Sequence, residues 1–466
     1  SRRKHILVVG GGMTGLLCAL ELRKSNPQSS ITVVETSSAV GGTYKSYRDM
    51  SGNVFDHGMH LLYETRDSYV NSTLFSLLPE GSWNIYEHNA KDIAGVFFAG
   101  KLQNYSPYPD IRSLSATTQR ESVESFFVAL TQNNSNVVDN AEEEFRRRFG
   151  GYIYDHVHAK ILQGLYGRNP KDLHPIVMKL TALDRVCMFS ESTITELLLS
   201  SVIRERIAYP DQVNLPITRH WNQRALYPRS LGADQVVASA VAQLQSANVE
   251  IRCQTRVGIA ECENGYLTSV ELLDWKGDAV REHVDHMVWT IGWPSLEKTI
   301  LKEKATTSND NAAHEIVLVH LALDKPVEMS PLYYFYCFDQ GFATFRVTNY
   351  VAYCPNAARE RYYPLTVELW PSRIDMKVQR DAPGEMLRRA LEELQVFKVI
   401  GSQHIIMYSR VEYPCERFPI PTIRTIERIE RSRNLMKNSV KNVSVVGVMA
   451  EEQEFFLQDI LPNAFK

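Results

Sequence analysis

The stretch ILVVGGGMTGLLCALEL, residues 6–22, constrains the fold more than any other part of the chain. A continuous apolar strand runs into glycines with the spacing G-x-G-x-x-G, and residues with helical periodicity follow at once. In such a unit Gly10 makes a tight turn, Gly12 lets the backbone approach a pyrophosphate, and Gly15 lets helix and strand pack closely. The stretch therefore predicts a dinucleotide site built on a strand, a glycine turn and a helix.

A second strand and an acidic residue complete this unit. SITVVE, residues 30–35, reads as a buried parallel strand, which gives a βαβ unit of the usual length of about 30 residues. The carboxylate of Glu35 is expected to accept hydrogen bonds from ribose hydroxyls, and it would repel a ribose 2'-phosphate. We assign Met13 and Thr14, at the start of the helix, and Thr36 to the same cofactor site, because the helix N-terminus faces the phosphates.

A second glycine pair follows in ETSSAVGGTYKS, which contains Gly41, Gly42 and Thr43. Its placement resembles flavoproteins of the glutathione-reductase-like superfamily, in particular the amine-oxidase and protoporphyrinogen-oxidase branch. In that branch the paired glycines let the backbone pass close to the FAD pyrophosphate. CQTRVGIAE resembles the T-x-V strand of the superfamily, which implies that Val257 contacts the adenine. The resemblance implies FAD as the cofactor.

The segment FDHGMHLLYETRDSYVNSTL resembles UDP-galactopyranose mutases, in which a Gly-x-His lies beside the isoalloxazine ring. The match implies that Gly58, Met59 and His60 lie at the flavin. His60 is the leading catalytic candidate, as a hydrogen-bond partner of the ring or as a proton shuttle, since imidazole titrates in the useful pH range. A packing histidine beside the cofactor is the alternative.

Near the C-terminus, SVVGVMAEEQEFFLQDIL resembles the mutase segment that binds the substrate diphosphate, with changes. Val448 stands where the mutases have an arginine, and Glu452 and Glu454 stand where they have tyrosines. A neutral residue cannot pair with a diphosphate, and carboxylates would repel it, which counts against mutase activity. The backbone groups that the resemblance assigns to the flavin here are those of Gly447, Leu457 and Gln458.

Several further residues are candidates for binding the substrate. ALYPRSLGADQ resembles a Tyr-Pro-x-Gly-Gly loop, and Arg229 within it is a candidate ligand for a substrate anion. Arg346 lies in a region of aromatic strands, and its guanidinium suits a carboxylate or phosphate, as catalytic or substrate-binding group. Tyr334 and Tyr336 share one side of a strand and could stack a sugar or base, although core packing is the simpler explanation. Arg185 is a further candidate anion ligand.

A chain of 466 residues predicts two domains. We expect an α/β fold in which a Rossmann-like, glutathione-reductase-like FAD-binding domain is interleaved with a substrate domain. The FAD-binding domain would comprise residues 1–100, 215–300 and 420–466. The substrate domain would combine a helical insertion, residues 101–214, with an antiparallel sheet, residues 301–419.

Composition excludes several classes of function. A net charge of −3 gives no reason to expect nucleic acid or an anionic membrane as partner. No apolar run approaches the roughly 18 residues of a membrane span, and the N-terminus lacks the pattern of a signal peptide. The seven cysteines are scattered and form no CxxC pair, so we expect no metal site and a cytoplasmic protein. The expected partner is a small molecule, and an oligomer is left open.

Three functions remain. The leading hypothesis is an FAD-dependent oxidoreductase that transfers hydride from a sugar nucleotide or related small polar metabolite to flavin N5. The alternative is a non-redox isomerase of the galactopyranose-mutase type, which uses reduced flavin. The third is a flavin-binding relative without activity. A monooxygenase is disfavoured, because no second G-x-G-x-x-G is present for NADPH.

Overall fold

The structure is a computed structural model and describes residues 3–132, 138–217, 220, 222–301, 313–378, 380–414, 417–451 and 454–465. Within these ranges no helix combines the length and apolar character needed to cross a bilayer. The cysteines in these ranges are free thiols.

The strands and helices have the following bounds. The strands are β1 (His5–Val9), β2 (Ser30–Val34), β3 (Ser46–Arg48), β4 (Val54–Asp56), β5 (Leu62–Tyr63), β6 (Trp83–Tyr86), β7 (Ala94–Phe98), β8 (Lys101–Gln103), β9 (Ala225–Pro228), β10 (Glu250–Arg252), β11 (Thr255–Glu263), β12 (Tyr266–Asp274), β13 (Ala279–His283), β14 (His286–Trp289), β15 (Ala313–Glu315), β16 (Val317–Leu323), β17 (Tyr334–Cys337), β18 (Thr344–Asn349), β19 (Tyr363–Leu369), β20 (Ile406–Glu412), β21 (Arg417–Pro419) and β22 (Val443–Val445). The helices are α1 (Met13–Ser25), α2 (Ser68–Phe75), α3 (Ala116–Thr131), α4 (Ala141–Phe149), α5 (Gly151–Ile153), α6 (Ala159–Tyr166), α7 (Val177–Leu180), α8 (Glu191–Leu197), α9 (Ser201–Arg204), α10 (Asp234–Ser246), α11 (Trp293–Leu301), α12 (Tyr350–Tyr353), α13 (Gly384–Val396), α14 (Ile423–Lys437) and α15 (Leu457–Ala464).

The chain divides into two compact units, each assembled from separate segments. The first unit comprises Ser1–Ile85, Ala225–Asp310 and Arg424–Lys466. The second comprises Tyr86–Arg224 and Asn311–Ile423.

A parallel sheet with the strand order β10-β2-β1-β14-β22 lies at the centre of the first unit. β1 and β2 are continuous apolar runs because a parallel strand of such a sheet is covered on both faces. The strand–helix–strand unit predicted from the glycine motif is confirmed as β1, α1 and β2. Residues from three distant parts of the chain, including Leu7, Leu272 and Met436, share one core cluster beside this sheet.

Smaller sheets complete the first unit. β11, β12 and β13 form an antiparallel meander, with its first turn at Asn264-Gly265. β3 pairs with β4, and β9 lies between β5 and β6. These two short sheets carry the residues on either side of the Gly58–His60 segment, and β9 leads into α10.

The second unit is built on a sheet with the order β20-β16-β19-β18-β17-β7-β8. Its neighbours are antiparallel except β7 and β17, which run parallel. The antiparallel sheet predicted from the sequence is present in β16 to β20, and β7 and β8 extend it. One face packs on α13 through residues such as Val347 and Leu394. The other face packs on the helical segment through residues such as Phe345, Phe149 and Leu162, so the helical insertion expected from the sequence is present.

Candidate nucleotide site

The glycines of the first loop have different surroundings, which match three different roles. Gly10 has φ +105°, and a Cβ there would lie 2.1 Å from Thr290 Oγ1. A Cβ on Gly15 would lie 1.9 Å from the carbonyl oxygen of Gly10, so that position is closed by the contact of helix and turn. A Cβ on Gly12 would meet no atom of the described residues within 4 Å. Gly10 and Gly15 are thus required by the fold, whereas Gly12 lines open space.

Glu35 binds the same loop. Its carboxylate accepts the N–H of Gly11 at 2.8 Å, the N–H of Ser37 at 2.7 Å and the hydroxyl of Thr36 at 3.2 Å. Burial raises the pKa of Glu35, but the hydrogen bonds from Ser37 and Gly11 outweigh it, and the pKa lies below its usual value. The carboxylate is therefore ionised at neutral pH and keeps acceptor capacity for further donors.

The second glycine pair lies directly against the first loop. The N–H of Gly41 donates to the carbonyl of Gly11 at 2.8 Å, and Gly41 and Gly12 form an isolated parallel bridge. Gly42 has φ +56°, and a Cβ there would lie 3.3 Å from the Cα of Gly12. Thr43, beside the pair, is exposed. The two glycine segments thus form one backbone-lined surface at the N-terminus of α1, where the first N–H groups have no partner within the helix.

The Gly58–His60 segment follows β4. Gly58 has φ +107°, a conformation that favours glycine. His60 Nε2 lies 3.1 Å from the carbonyl oxygen of His57, and its ring lies 5.4 Å from that of Tyr44, centre to centre. Met59 and His60 are half-buried. The imidazole is therefore held by a local backbone contact and an aromatic neighbour.

The C-terminal segment combines an exposed loop with a helix start. Gly447 has φ +128°, and a Cβ there would lie 2.9 Å from the carbonyl oxygen of Thr290. The side chain of the same Thr290 leaves no room for a Cβ on Gly10. Val448 is exposed. Glu454 is buried and accepts the N–H of Glu451 at 3.0 Å and the amide of Asn463 at 2.6 Å. The carboxylate of Glu454 thus serves the local fold, and Glu452 lies outside the described residues.

α15 begins at Leu457, so Leu457 and Gln458 occupy its first two positions. The N–H groups at those positions have no acceptor within a helix. Of the side chains assigned to the same site, Met13 is buried in the core and Thr14 is half-buried. Val257 is half-buried on β11 beside the core of the first unit. The assignment of these residues to a nucleotide site stays a prediction.

A buried polar cluster beside this site was not foreseen from the sequence. Asp56, at the end of β4, accepts the hydroxyl of Ser46 at 2.6 Å, the N–H of Ala233 at 2.8 Å and the hydroxyl of Tyr227 in a short contact. The Tyr227 hydroxyl in turn accepts the N–H of Gly232 at 3.1 Å. Burial raises the pKa of Asp56. The only sequence signal was a carboxylate just before the Gly58–His60 segment, because Tyr227 and Ala233 lie 171 and 177 positions further along the chain.

Arg229 has a backbone role in the first unit. Its N–H donates to the carbonyl of Ser82 at 2.9 Å, and its Nε lies 3.4 Å from the carbonyl of Trp83. Arg48 and Asp234 form a bidentate ion pair next to the same loop, with N–O distances of 2.5 and 2.6 Å. The loop that contains Arg229 is thus attached to its neighbours by several contacts.

The candidate substrate residues of the second unit lie on its large sheet. Tyr336, Arg346 and Glu368 form one cross-strand row on β17, β18 and β19. Arg346 pairs with Glu368, with Nη2 at 2.8 Å from Oε2 and Nε at 3.1 Å from the same atom. Tyr334 and Tyr336 are in edge contact at 5.3 Å, and the Tyr334 hydroxyl lies 3.4 Å from Asp92. The positive charge of Arg346 is therefore balanced by a buried partner.

Asp92 and Arg185 extend this polar region of the second unit. Burial raises the pKa of Asp92 to about 6, although the Tyr334 hydroxyl and Arg346 lower it in part. The Arg185 guanidinium lies over the ring of Tyr108 and 3.8 Å from Asp184. Arg185 thus has a carboxylate partner too, and its role as an anion ligand stays a prediction.

Known families resemble this chain over parts of its length. Residues 8–76 match the family model of the NAD(P)-binding Rossmann-like domain. Coproporphyrinogen III oxidase of Bacillus subtilis (strain 168) is 21% identical over 176 residues, which are 35% of this chain and 37% of that protein. Lysine-specific histone demethylase 1 of Caenorhabditis elegans is 26% identical over 102 residues, 22% of this chain and 12% of that protein. The matches thus span well under half the length of these curated relatives.

Solved structures match almost the whole chain. A reduced UDP-galactopyranose mutase aligns with a TM-score of 0.70 at 13% identity, over 95% of this chain and 88% of that one. An oxidoreductase from Methanosarcina mazei aligns at 0.59 and 13% identity, over 99% and 98%. Putrescine oxidase bound to putrescine aligns at 0.59 and 12% identity, over 100% and 97%. The resemblance proposed from the motifs is confirmed for the fold: residues 8–76 match the Rossmann-like family model, and the chain as a whole is similar in architecture to UDP-galactopyranose mutase and putrescine oxidase.

Proposed function

We propose that the protein binds FAD and is an FAD-dependent oxidoreductase that acts on a sugar nucleotide or a related small polar metabolite. The observation that carries the proposal is the double glycine surface of Gly12 and Gly42. A Cβ on Gly12 would enter open space bordered by the N-terminus of α1 and by Gly42, the space that a pyrophosphate needs.

Other parts of the first unit fit the remainder of such a cofactor. The ionised Glu35 offers oxygens to ribose hydroxyls, and Thr36 and Thr43 are exposed beside the two loops. The backbone of Gly447 and the first N–H groups of α15 supply donors that do not depend on side-chain identity. These groups fit a dinucleotide whose second half is a polar ring system.

When bound, the flavin would supply hydride acceptance at N5. The residues of this chain would bind and orient the reactants. His60, whose Nε2 lies 3.1 Å from the His57 carbonyl oxygen, would hydrogen-bond to the flavin ring or carry a proton. Arg346 would contribute to substrate binding mainly through its packing and its neighbours, because Glu368 already satisfies its charge.

An isomerase of the mutase type is the second candidate. Its support is the alignment with reduced UDP-galactopyranose mutase over 95% of this chain. Val448, where the resemblance expects an arginine, counts against it, and so does the ion pair that Arg346 already makes with Glu368. A flavin-binding protein without activity is the third candidate.

Flavin binding is tested with one glycine and a matched control. In Gly12→Ala the new methyl group should leave folding unchanged, because it meets no described atom, but it would occupy the pyrophosphate space. We expect FAD affinity to fall by about tenfold or more, the usual size of an overpacking penalty. Gly384→Ala, at a position of the second unit where a Cβ likewise meets no described atom within 4 Å, should bind FAD like the wild type. Equal affinity of both variants, or a wild type that binds no flavin, would overturn the proposal.

The reaction is tested by anaerobic titration of the flavin-loaded protein with a panel of sugar nucleotides. The absorbance to follow is the flavin band near ~450 nm. Bleaching by one compound would establish its oxidation. A sugar isomer that forms only after dithionite reduction, with no bleaching by any compound, would favour the isomerase.

A further inference from the structure

Asp56 connects the Gly58–His60 segment, which the proposed function places at the flavin ring, with the loop 229–233, which contains the candidate anion ligand Arg229. Its carboxylate ends β4 and directly precedes the residue pair His57-Gly58. The same carboxylate accepts the N–H of Ala233, which ends the loop 229–233 at the start of α10. One buried side chain therefore fixes the distance between the Gly58–His60 segment and that loop.

Tyr227 extends this connection. Its hydroxyl donates to Asp56 and accepts the N–H of Gly232, so one oxygen atom connects the carboxylate of Asp56 with the backbone in the middle of the loop. Gly232 has φ +127°, and a Cβ there would lie 2.3 Å from Arg48 Nη2. The loop is thus held in a conformation that only this arrangement of donors and this glycine allow.

The far side of the loop is attached as well. Ser230 and Gln235 exchange two contacts, at 3.0 and 2.9 Å, and Gln235 also donates to the carbonyl of Gly232 at 2.8 Å. The Arg229 N–H donates to Ser82. The loop is therefore held as one rigid segment, and its buried attachment is the hydrogen bond from Ala233 to Asp56.

We propose that Asp56 is a positioning residue of the flavin end of the site: with Tyr227 it sets the place of the 229–233 loop against the Gly58–His60 segment. The inference rests on the proposed function, because that function assigns His60 to the isoalloxazine ring. Asp56 acts through Tyr227, Gly232 and Ala233, without touching the cofactor. Its loss should weaken binding of the flavin half of the dinucleotide and leave the adenine half unaffected.

The test is Asp56→Asn, which preserves shape but changes one acceptor into a donor. If Oδ1 keeps Ser46 and Ala233, the new NH₂ group faces the Tyr227 hydroxyl, whose proton then has no acceptor at that position. The hydroxyl proton must then turn away from residue 56, which disturbs the contact of the Tyr227 oxygen with Gly232. We expect FAD to bind about tenfold or more weakly, since a buried hydroxyl is left without its acceptor, while ADP binds within about twofold of wild type.

Asp49→Asn is the matched control. Asp49 lies in the turn of the same hairpin and accepts the N–H groups of Ser51 and Asn53, both at 2.9 Å. A loosened hairpin alone should lower FAD and ADP affinity together, or neither. Preferential loss of FAD affinity in Asp56→Asn, absent in Asp49→Asn, is the expected result, because general destabilisation does not separate the two ligands.

A second variant keeps the test informative if Asp56→Asn folds poorly. Tyr227→Phe removes the hydroxyl and retains the ring, and it should likewise weaken the binding of FAD more than the binding of ADP. In the double variant the fold-changes should combine to less than their product, because both act on the hydrogen bond between Tyr227 and Asp56. Wild-type binding of FAD with unchanged FAD-to-ADP ratios in both variants would overturn this inference alone. A wild type that binds ADP but not FAD would overturn the proposed function as well.

Discussion

His158 should make the helical part of the second unit sensitive to mild acid. The residue ends the π-helical turn Tyr154–His158 and is completely buried between the rings of Phe145 and Phe149, each 4.6 Å away centre to centre. Neither ring nitrogen has a hydrogen-bond partner among the described residues. Burial, with a smaller contribution from Arg148, lowers the pKa of His158 from 6.5 to about 3. The imidazole is therefore neutral in the folded protein at every pH above about 3.

The sign and size of the effect follow from linkage. Between the unfolded pKa of 6.5 and the folded pKa of about 3, the unfolded chain binds one more proton at this site than the folded chain. The stability from a neutral His158 is complete above pH 6.5 and is lost as the pH falls, by about 1.4 kcal/mol per pH unit. The loss amounts to roughly 2 kcal/mol between pH 7 and pH 5, and to about 5 kcal/mol once the folded pKa is reached.

The assay is amide hydrogen exchange of α4 and α6 at several pH values, corrected for intrinsic exchange, which reports the opening free energy of this segment. His158→Phe has no titrating group at this position. Its opening free energy should therefore fall by roughly 2 kcal/mol less than that of wild type between pH 7 and pH 5, whatever the packing change does to the absolute stability. His156→Gln, two residues away with an exposed ring stacked on Tyr152, removes a histidine from the same turn without opening the core. Parallel pH profiles of His158→Phe and wild type would refute the reasoning.

Three further changes have expected outcomes. Arg346→Leu should destabilise the second unit by about 3–5 kcal/mol in urea unfolding, because it leaves Glu368 buried without its cation, and Arg346→Leu/Glu368→Leu should recover most of that loss; a double variant as unstable as the single one would contradict this. Glu35→Gln should weaken FAD binding in equilibrium titrations. Folding lowers the pKa of Glu35, so this carboxylate stabilises the fold above its unfolded pKa of about 4.3, and that stabilisation is lost as the pH falls below this value. The variant should therefore lose less stability in acid than wild type. Glu454→Gln should lower the opening free energy of α15, measured by amide hydrogen exchange, by about 1–3 kcal/mol, because the side chain no longer offers two acceptor oxygens to Glu451 and Asn463. Unchanged protection of the α15 amides would exclude this role.

Local patterns predicted the elements that depend on local physics. The strand, glycine turn and helix at residues 5–25 follow from apolar periodicity and from the conformations that Gly10 and Gly15 permit. The charged helix α4 is equally local in origin, since the Asn140 side chain caps it by accepting the N–H of Glu143. In each case the residues that decide the structure lie within one or two turns of one another.

Pairing across long stretches of chain was beyond such patterns. β1 has β2 and β14 as neighbours, and β14 lies about 280 positions further along, which no periodicity reveals. Asp56 and Tyr227 meet only because β4 and β9 belong to neighbouring short sheets. The ion pair of Arg346 and Glu368, 22 positions apart on neighbouring strands, was not predicted either, and Arg346 alone reads as a candidate ligand.

The site divides in the same way into a backbone part and a side-chain part. Gly12, Gly42 and the N-terminus of α15 offer space and N–H groups, so their fitness for a dinucleotide survives almost any change in neighbouring side chains. Recognition of a substrate needs particular charged or polar groups in reach, and Arg346 and Glu454 have partners of their own in the fold. A resemblance carried by glycine spacing therefore predicts the cofactor far better than it predicts the substrate, and Val448, exposed where an arginine is expected, is where the two predictions separate.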